Sequence, residues 1–238
     1  MSTQTLNMWS AFSPKTIVRD LMDLKLEDIG FLVVLMAIMS CAMIYWESAW
    51  LEWLSSLTGV MCVFLVARRK LSNYFWGIIN VTTYTYIAYN AKYFGDTMLF
   101  GLFYTPIQFI GAYLWSKHMF GENVISRKIE SFRALFMLGI GATFITFGYA
   151  MLLESIGGNL PAVDAFTTVG SVLATFFMVY GYREQWLVWI AINLSSIYMW
   201  ANVYMEDGTG VGMLAMWSVY LINSTYGTYI WFKGSKSN

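Results

Sequence analysis

The chain has 238 residues: 58% are apolar, 18% aromatic and only 12% charged, with 14 Lys and Arg balancing 14 Asp and Glu, and mean hydropathy is +0.55. A soluble domain carries roughly 25% charged residues, so half that figure cannot coat a globule in water. It excludes an ordinary soluble enzyme, a nucleic-acid binder and a disordered chain. What remains is a polytopic membrane protein built of helices, because lipid offers no partner to open backbone groups.

Residues 1–29 are polar and acidic and lack a short apolar core with a cleavage site. They are expected to form a cytoplasmic segment, with an amphipathic surface helix over 14–28. Eight stretches then approach the roughly 20 apolar residues that cross a bilayer: 30–47, 49–67, 73–91, 97–116, 134–153, 164–182, 185–204 and 210–232. Acids touch only their ends, at Glu47, Glu52 and Asp164, and Asp164 is expected to cap its helix. A charge at a span centre would cost roughly 2.5–3.5 kcal/mol on insertion scales.

The connections orient the chain. With the N-terminus inside, Lys15, Arg19, Lys25, Arg68, Arg69, Lys70, Lys117, Arg127, Lys128, Arg133, Arg183, Lys233 and Lys236 are inside, and only Lys92 is outside. The acids split evenly. A bias confined to Lys and Arg is the signature of the positive-inside rule, so both termini are expected in the cytoplasm. Arg68, Arg69 and Lys70 are read as topology determinants.

Cys41 and Cys62 lie in apolar runs and read as buried small hydrophobes, without a disulfide framework. The single histidine, His118, supplies no metal ligand set. Neither metal nor cofactor is expected, and no clustered nucleophile or base suggests an enzyme.

The chain repeats itself. At a shift of 113, Trp76 falls on Trp189, Ile79 and Asn80 on Ile192 and Asn193, Thr82 and Thr83 on Ser195 and Ser196, and Gly95 on Gly208. At 111, Gly59 falls on Gly170. At 116, Tyr104, Gly111, Tyr113 and Trp115 fall on Tyr220, Gly227, Tyr229 and Trp231. Two three-helix bundles, 49–116 and 164–232, are thus expected, joined by a cytoplasmic loop (117–133) and a linker helix (134–153). An extra helix (30–47) precedes them and a short tail (233–238) follows. Three spans plus one start the second triplet from the same side as the first. The repeats are therefore parallel, a transporter architecture in which substrate is held near the midplane at their interface.

Each residue of a helix turns by about 100°. In the seventh span, Trp186, Trp189, Asn193, Ile197 and Trp200 fall on one arc. In the third, Asn73, Trp76, Asn80, Tyr84 and Ile87 fall on the equivalent one. Tyr104, Gln108, Gly111 and Trp115 share a face near Pro106, and Tyr220, Asn223, Gly227 and Trp231 share another. Amides in hydrocarbon need partners and suit a ribose or another polyol. Trp and Tyr faces suit a planar ring, a cationic one especially. The candidate binding residues are therefore Trp189, Asn193, Gln108, Asn80, Tyr84, Asn223, Trp186 and Tyr104. Interfacial belts and helix packing are the competing reading for the same aromatics. No ionisable residue sits mid-span, which points to passive transport of a small cargo that is neutral or singly positive.

The run from Arg68 to Val81, RRKLSNYFWGIINV, resembles the PnuC family of bacterial nicotinamide riboside transporters. The second half carries that family's W-x-x-W-x-x-x-N signature as Trp186, Trp189 and Asn193, and Pro106-x-Gln108-x-x-Gly111 also resembles the family. The resemblance covers about residues 50–232. It implies a fold similar to the SWEET transporters: two parallel three-helix bundles, a linker helix and, here, an added N-terminal helix. It implies nicotinamide riboside as cargo, Trp186, Trp189 and Asn193 as site residues, and facilitated diffusion in the bacterial inner membrane. It also implies a cytoplasmic riboside kinase that traps the product by phosphorylation. Thiamine, another cationic aromatic vitamin, is the nearest rival cargo, and a sugar is a weaker one. The lipid bilayer is the surrounding partner, nucleic acid is none, and a homo-oligomer is compatible with the sequence.

Overall fold

The computed structural model describes residues 7–45, 47, 49–90, 97, 99–120, 123–155, 157, 160–207 and 211–234. The expected placements of Lys92 and Lys236, and the Gly95–Gly208 match, lie outside the described residues. The chain is nearly all helical and parts into two compact units, Met1–Ile125 and Ser126–Asn238.

The first unit opens with a 3-10 turn, Met8–Phe12, closed by a reciprocal pair: Ser10 N–H donates to Asn7 Oδ1 at 3.1 Å, and Asn7 N–H to Ser10 Oγ at 3.2 Å. Helix α1 (Pro14–Met22) starts on a proline whose missing N–H would be unpaired there anyway. The single helix expected over 14–28 is instead interrupted after Met22. A new helix, α2 (Leu26–Tyr45), starts four residues ahead of the expected span. Its start is fixed by Asp28, whose Oδ2 accepts the Lys25 N–H at 3.0 Å. Helix α3 (Trp50–Ala67) follows, then a tight turn with Arg69 at φ 58°, then α4 (Asn73–Asn90).

The next rod begins as a π-helix, Leu99–Tyr104, and continues as α5 (Thr105–Lys117). Pro106 explains the change. It has no N–H to give, and its ring crowds the carbonyl four residues back. The wider turn relieves that crowding, and Thr105 Oγ1 donates to the Phe100 carbonyl at 3.0 Å, five residues back. Two short strands, β1 (Met119–Phe120) and β2 (Asn123–Val124), form an antiparallel pair that an all-helical reading omits. α3 packs along α4, α5 and the π turn lie on α4, α2 lies on α3, and the 3-10 turn sits against α4 and α5. Leu35, Val60, Phe64, Tyr74 and Trp115 form the core of this unit.

In the second unit α6 (Phe132–Ser155) lies on α7 (Pro161–Val179), α7 on α8 (Gln185–Asp207), and α8 on α9 (Val211–Gly234). No side chain of α6 is buried, as suits a helix whose flanks face lipid rather than a core. Leu160, at φ 45°, precedes α7, and Pro161 opens it. Asp164 is therefore not the cap expected of it. It sits inside the first turn, where a carboxylate still complements the helix dipole.

Five described helices, α2, α3, α6, α7 and α8, are long and apolar enough to cross a membrane. The remaining expected spans correspond to α4, the π-to-α5 rod and α9. α4 and α9 are rich in Tyr, Thr, Ser and Asn, which lowers their hydropathy, and α5 by itself has only 13 residues.

Candidate substrate-binding site

The polar candidates of the first unit sit on α4 and α5. Asn80 is half-buried and turns toward α3, where its Nδ2 donates to the Ser55 carbonyl at 2.8 Å and lies 3.4 Å from Ser55 Oγ. The carbonyl can only accept, so the amide's orientation is fixed and its oxygen is left for another donor. Gln108, 7% exposed, lies on α5 directly against Gly77 of α4; a Cβ at Gly77 would overlap its Oε1. That oxygen has no hydrogen-bond partner among the described residues. Desolvating such an acceptor costs about 1–3 kcal/mol, which a ligand donor would return.

The aromatic candidates of this unit meet through a residue absent from the sequence reading. The Tyr84 ring is 4.2 Å from Phe100, and Phe100 stands edge-on to Tyr104 at 5.0 Å. Phe100 and Tyr104 both belong to the π turn, a device common at functional sites. The wider turn is what brings Phe100 round to the α4 face.

In the second unit Asn193 is 2% exposed and its Nδ2 lies 2.8 Å from Ser224 Oγ on α9. Asn223 is the neighbouring residue and is also buried. Trp189 lies one turn before Asn193 and is half-buried. Ser224 was missed, yet the shift of 116 that pairs Tyr104 with Tyr220 also pairs Gln108 with Ser224. The signal was in the sequence.

Trp186 differs from the other candidates. Its ring rests on Gly227, where a Cβ would come within 2.6 Å, and stands edge-on to Trp231 at 6.2 Å. The first unit has the same joint: Tyr74 rests on Gly111 and stands edge-on to Trp115 at 5.2 Å. Both joints tie the start of one helix to the end of the next, and T-shaped aromatic pairs of this kind add about 0.5–1.5 kcal/mol beyond burial.

Beyond the helices, Arg68, Arg69 and Lys70 are more than topology signals. Arg68 pairs with Asp28 at 2.6 Å, Lys70 pairs with Asp23, and Arg69 donates from its guanidinium to the Val124 carbonyl at 3.4 Å. Burial, and then the neighbouring Arg68 charge, push the Arg69 guanidinium below its usual range. Among the described residues no cluster of His, Cys, Asp and Glu could hold a metal ion.

Comparisons with known proteins bear on this arrangement. A family model described as nicotinamide mononucleotide transporter matches residues 49–233. The chain is 35% identical over 210 residues to the nicotinamide riboside transporter PnuC of Neisseria mucosa, covering 85% of this chain and 80% of that one. It is 36% identical over 189 residues to the protein of the same name from Haemophilus influenzae, covering 78% and 80%. A crystal structure of the vitamin B3 transporter PnuC superposes with a TM-score of 0.82 at 31% identity, over 94% of this chain and 99% of that one.

Proposed function

The chain belongs to the nicotinamide mononucleotide transporter family, and from that membership we propose that it carries nicotinamide riboside, a vitamin B3 form and NAD precursor, across the bacterial inner membrane. The observation that carries the choice of cargo is the chemistry left over in each unit. Asn80 and Asn193 spend their amide nitrogens on Ser55 and Ser224 and keep their oxygens, and the Gln108 oxygen has no partner. Acceptors of this kind suit the hydroxyls of a ribose and the N–H2 of a carboxamide. Tyr84, Tyr104 and Trp189 offer faces to a pyridinium, for which cation–π attraction is worth roughly 2 kcal/mol when desolvated. Asn223 adds a second amide beside Ser224. Trp186 packs α8 onto Gly227 and Trp231 of α9.

The mononucleotide fits this lining poorly. Its phosphate would need Lys or Arg, and the sequence places none within the central parts of the spans. The same lack of mid-span charge leaves no proton relay, so movement is passive, by alternating access through eight spans with both termini in the cytoplasm. A cytoplasmic kinase would make net flux inward by phosphorylating the arriving riboside.

Uptake of labelled riboside into proteoliposomes tests the reading. We expect saturable uptake, competed by unlabelled riboside and untouched by the mononucleotide or by thiamine. Competition by thiamine alone would transfer the site to that vitamin. Equal competition by the mononucleotide would defeat the argument from the missing cation.

A further inference from the structure

We propose that Asp20 is a positioning residue for the cargo site, setting the seat of α4 from a segment that precedes the family match; this rests on reading α4 as a cargo-lining helix. Asp20 is fully buried. Its Oδ2 accepts the Ser72 N–H at 2.9 Å, and its Oδ1 pairs with Arg19 at 3.0 Å. Ser72 immediately precedes α4, and its N–H is the one that a capping-box carboxylate three residues into the helix would ordinarily take. Here the carboxylate comes from 52 residues upstream. Negative charge at that end also complements the helix dipole.

The neighbouring contacts fix Asp20 in place. Asp23 pairs with Lys70, which is 2% exposed, and Asp28 pairs with Arg68 at 2.6 Å, so two further acids from the same segment hold the turn that leads to Ser72. The Phe12 ring stands 5.6 Å from Phe109, the residue after Gln108 on α5. The segment Met8–Asp28 thus grips both helices that hold the first unit's candidates, although the family match begins only at residue 49. A helix moves as a rod, so a shift at Ser72 is carried to Gly77, Asn80 and Tyr84. Gly77 has no slack to absorb it, since its backbone abuts Gln108 Oε1.

The test compares Asp20→Ala, Asp20→Asn and Asp23→Asn in the full chain, with two readouts. The first is amide hydrogen exchange at 72–84. The second is the KM and maximal rate of nicotinamide riboside uptake, per folded molecule. In Asp20→Ala, exchange at the start of α4 should quicken about tenfold, the local value of a lost cap. KM should rise at least about fivefold, with the maximal rate within about twofold of wild type. Asp20→Asn keeps an oxygen for the Ser72 N–H and should restore KM to within about twofold of wild type. A merely structural role would lower thermal stability and leave KM unchanged in Asp20→Ala, and that result overturns the proposal. So does an Asp20→Asn protein as impaired as Asp20→Ala. Should Asp20→Ala not fold, Asp23→Asn decides: a KM raised more than about threefold supports positioning, and a KM within about twofold of wild type overturns it. If the wild-type chain carries no riboside, the functional reading fails, and the exchange readout still decides positioning: unchanged exchange at 77–84 in the variants overturns it.

Discussion

The turn that leads into α4 and the turn that leads into α8 hold matching places in the two repeats, yet they are secured by different physics. Both need one residue in the left-handed region. The first uses Arg69 at φ 58° and the second Gly181 at φ 74°. Around Arg69 the restraint comes from carboxylates: Asp23 and Asp28 pair with Lys70 and Arg68, and Asp20 accepts the Ser72 N–H, and one backbone bond, Val124 N–H to the Arg69 carbonyl at 3.1 Å, completes it. Around Gly181 the restraint is mainly backbone: Arg127 N–H donates to the Gly181 carbonyl at 2.8 Å, and Arg183 N–H to the Arg127 carbonyl at 2.9 Å. A single acid, Glu184, accepts the Ile129 N–H at 3.2 Å and pairs with the adjacent Arg183 at 3.3 Å. The same chain path can thus be held by charges brought from far away in sequence or by peptide groups close by. The first solution is the more vulnerable to single substitutions, because removing one buried charge strands its partner.

Asp20→Ala is expected to cost about 2 kcal/mol, because it leaves the buried Ser72 N–H without its charged acceptor, whereas Glu184→Ala should cost only about 1 kcal/mol. Thermal unfolding in detergent measures both, and equal losses would erase the contrast. An effect of similar size is shared by the two repeats. Gly111→Ala and Gly227→Ala each drive a methyl into an aromatic ring, for about 2 kcal/mol of overpacking, and the same unfolding experiment reads it. Loss at one site and not the other would show that the two joints are not equivalent. Next, Asn193→Ala should weaken riboside binding about tenfold, or 1.4 kcal/mol. Titration calorimetry would read this, and Asn80→Ala should show an effect of similar size. The smallest effect sharpens the first contrast: Arg69→Gly relieves a left-handed non-glycine residue and should raise stability by roughly 1 kcal/mol, while Gly181→Arg should lower it by a similar amount.

The sequence revealed helices best where apolar runs are long, and it located α3, α4, α8 and α9 to within three residues of their ends. It read the N-terminal segment least well. The amphipathic pattern over 14–28 does mark α1, but the partners of Asp20 and Asp28 lie about 40 to 50 residues away, and no local periodicity encodes them. Pro106 announced a disturbed helix, though not that the relief would be a π turn delivering Phe100 to Tyr84. For the candidate site, helical-wheel arithmetic groups residues by face and says nothing of depth. Trp186 and Trp189 share an arc, yet Trp186 is sunk onto Gly227 and Trp189 is half-buried. That distinction depends on which residue of α9 lacks a side chain at the crossing, and a single helix cannot reveal it.

The aromatic-on-glycine joints also carry a constraint on descent. At a shift of 116 the glycines and the terminal tryptophans of the two halves coincide, Gly111 with Gly227 and Trp115 with Trp231. The rings that rest on them, Tyr74 and Trp186, match only at 112 and differ in kind. After duplication, the ring could therefore slide and change identity while the vacancy under it stayed. A larger residue at either glycine is admissible only once the ring above has shrunk. Each joint should accordingly drift as one inherited character, with glycine and aromatic lost together or kept together along any lineage.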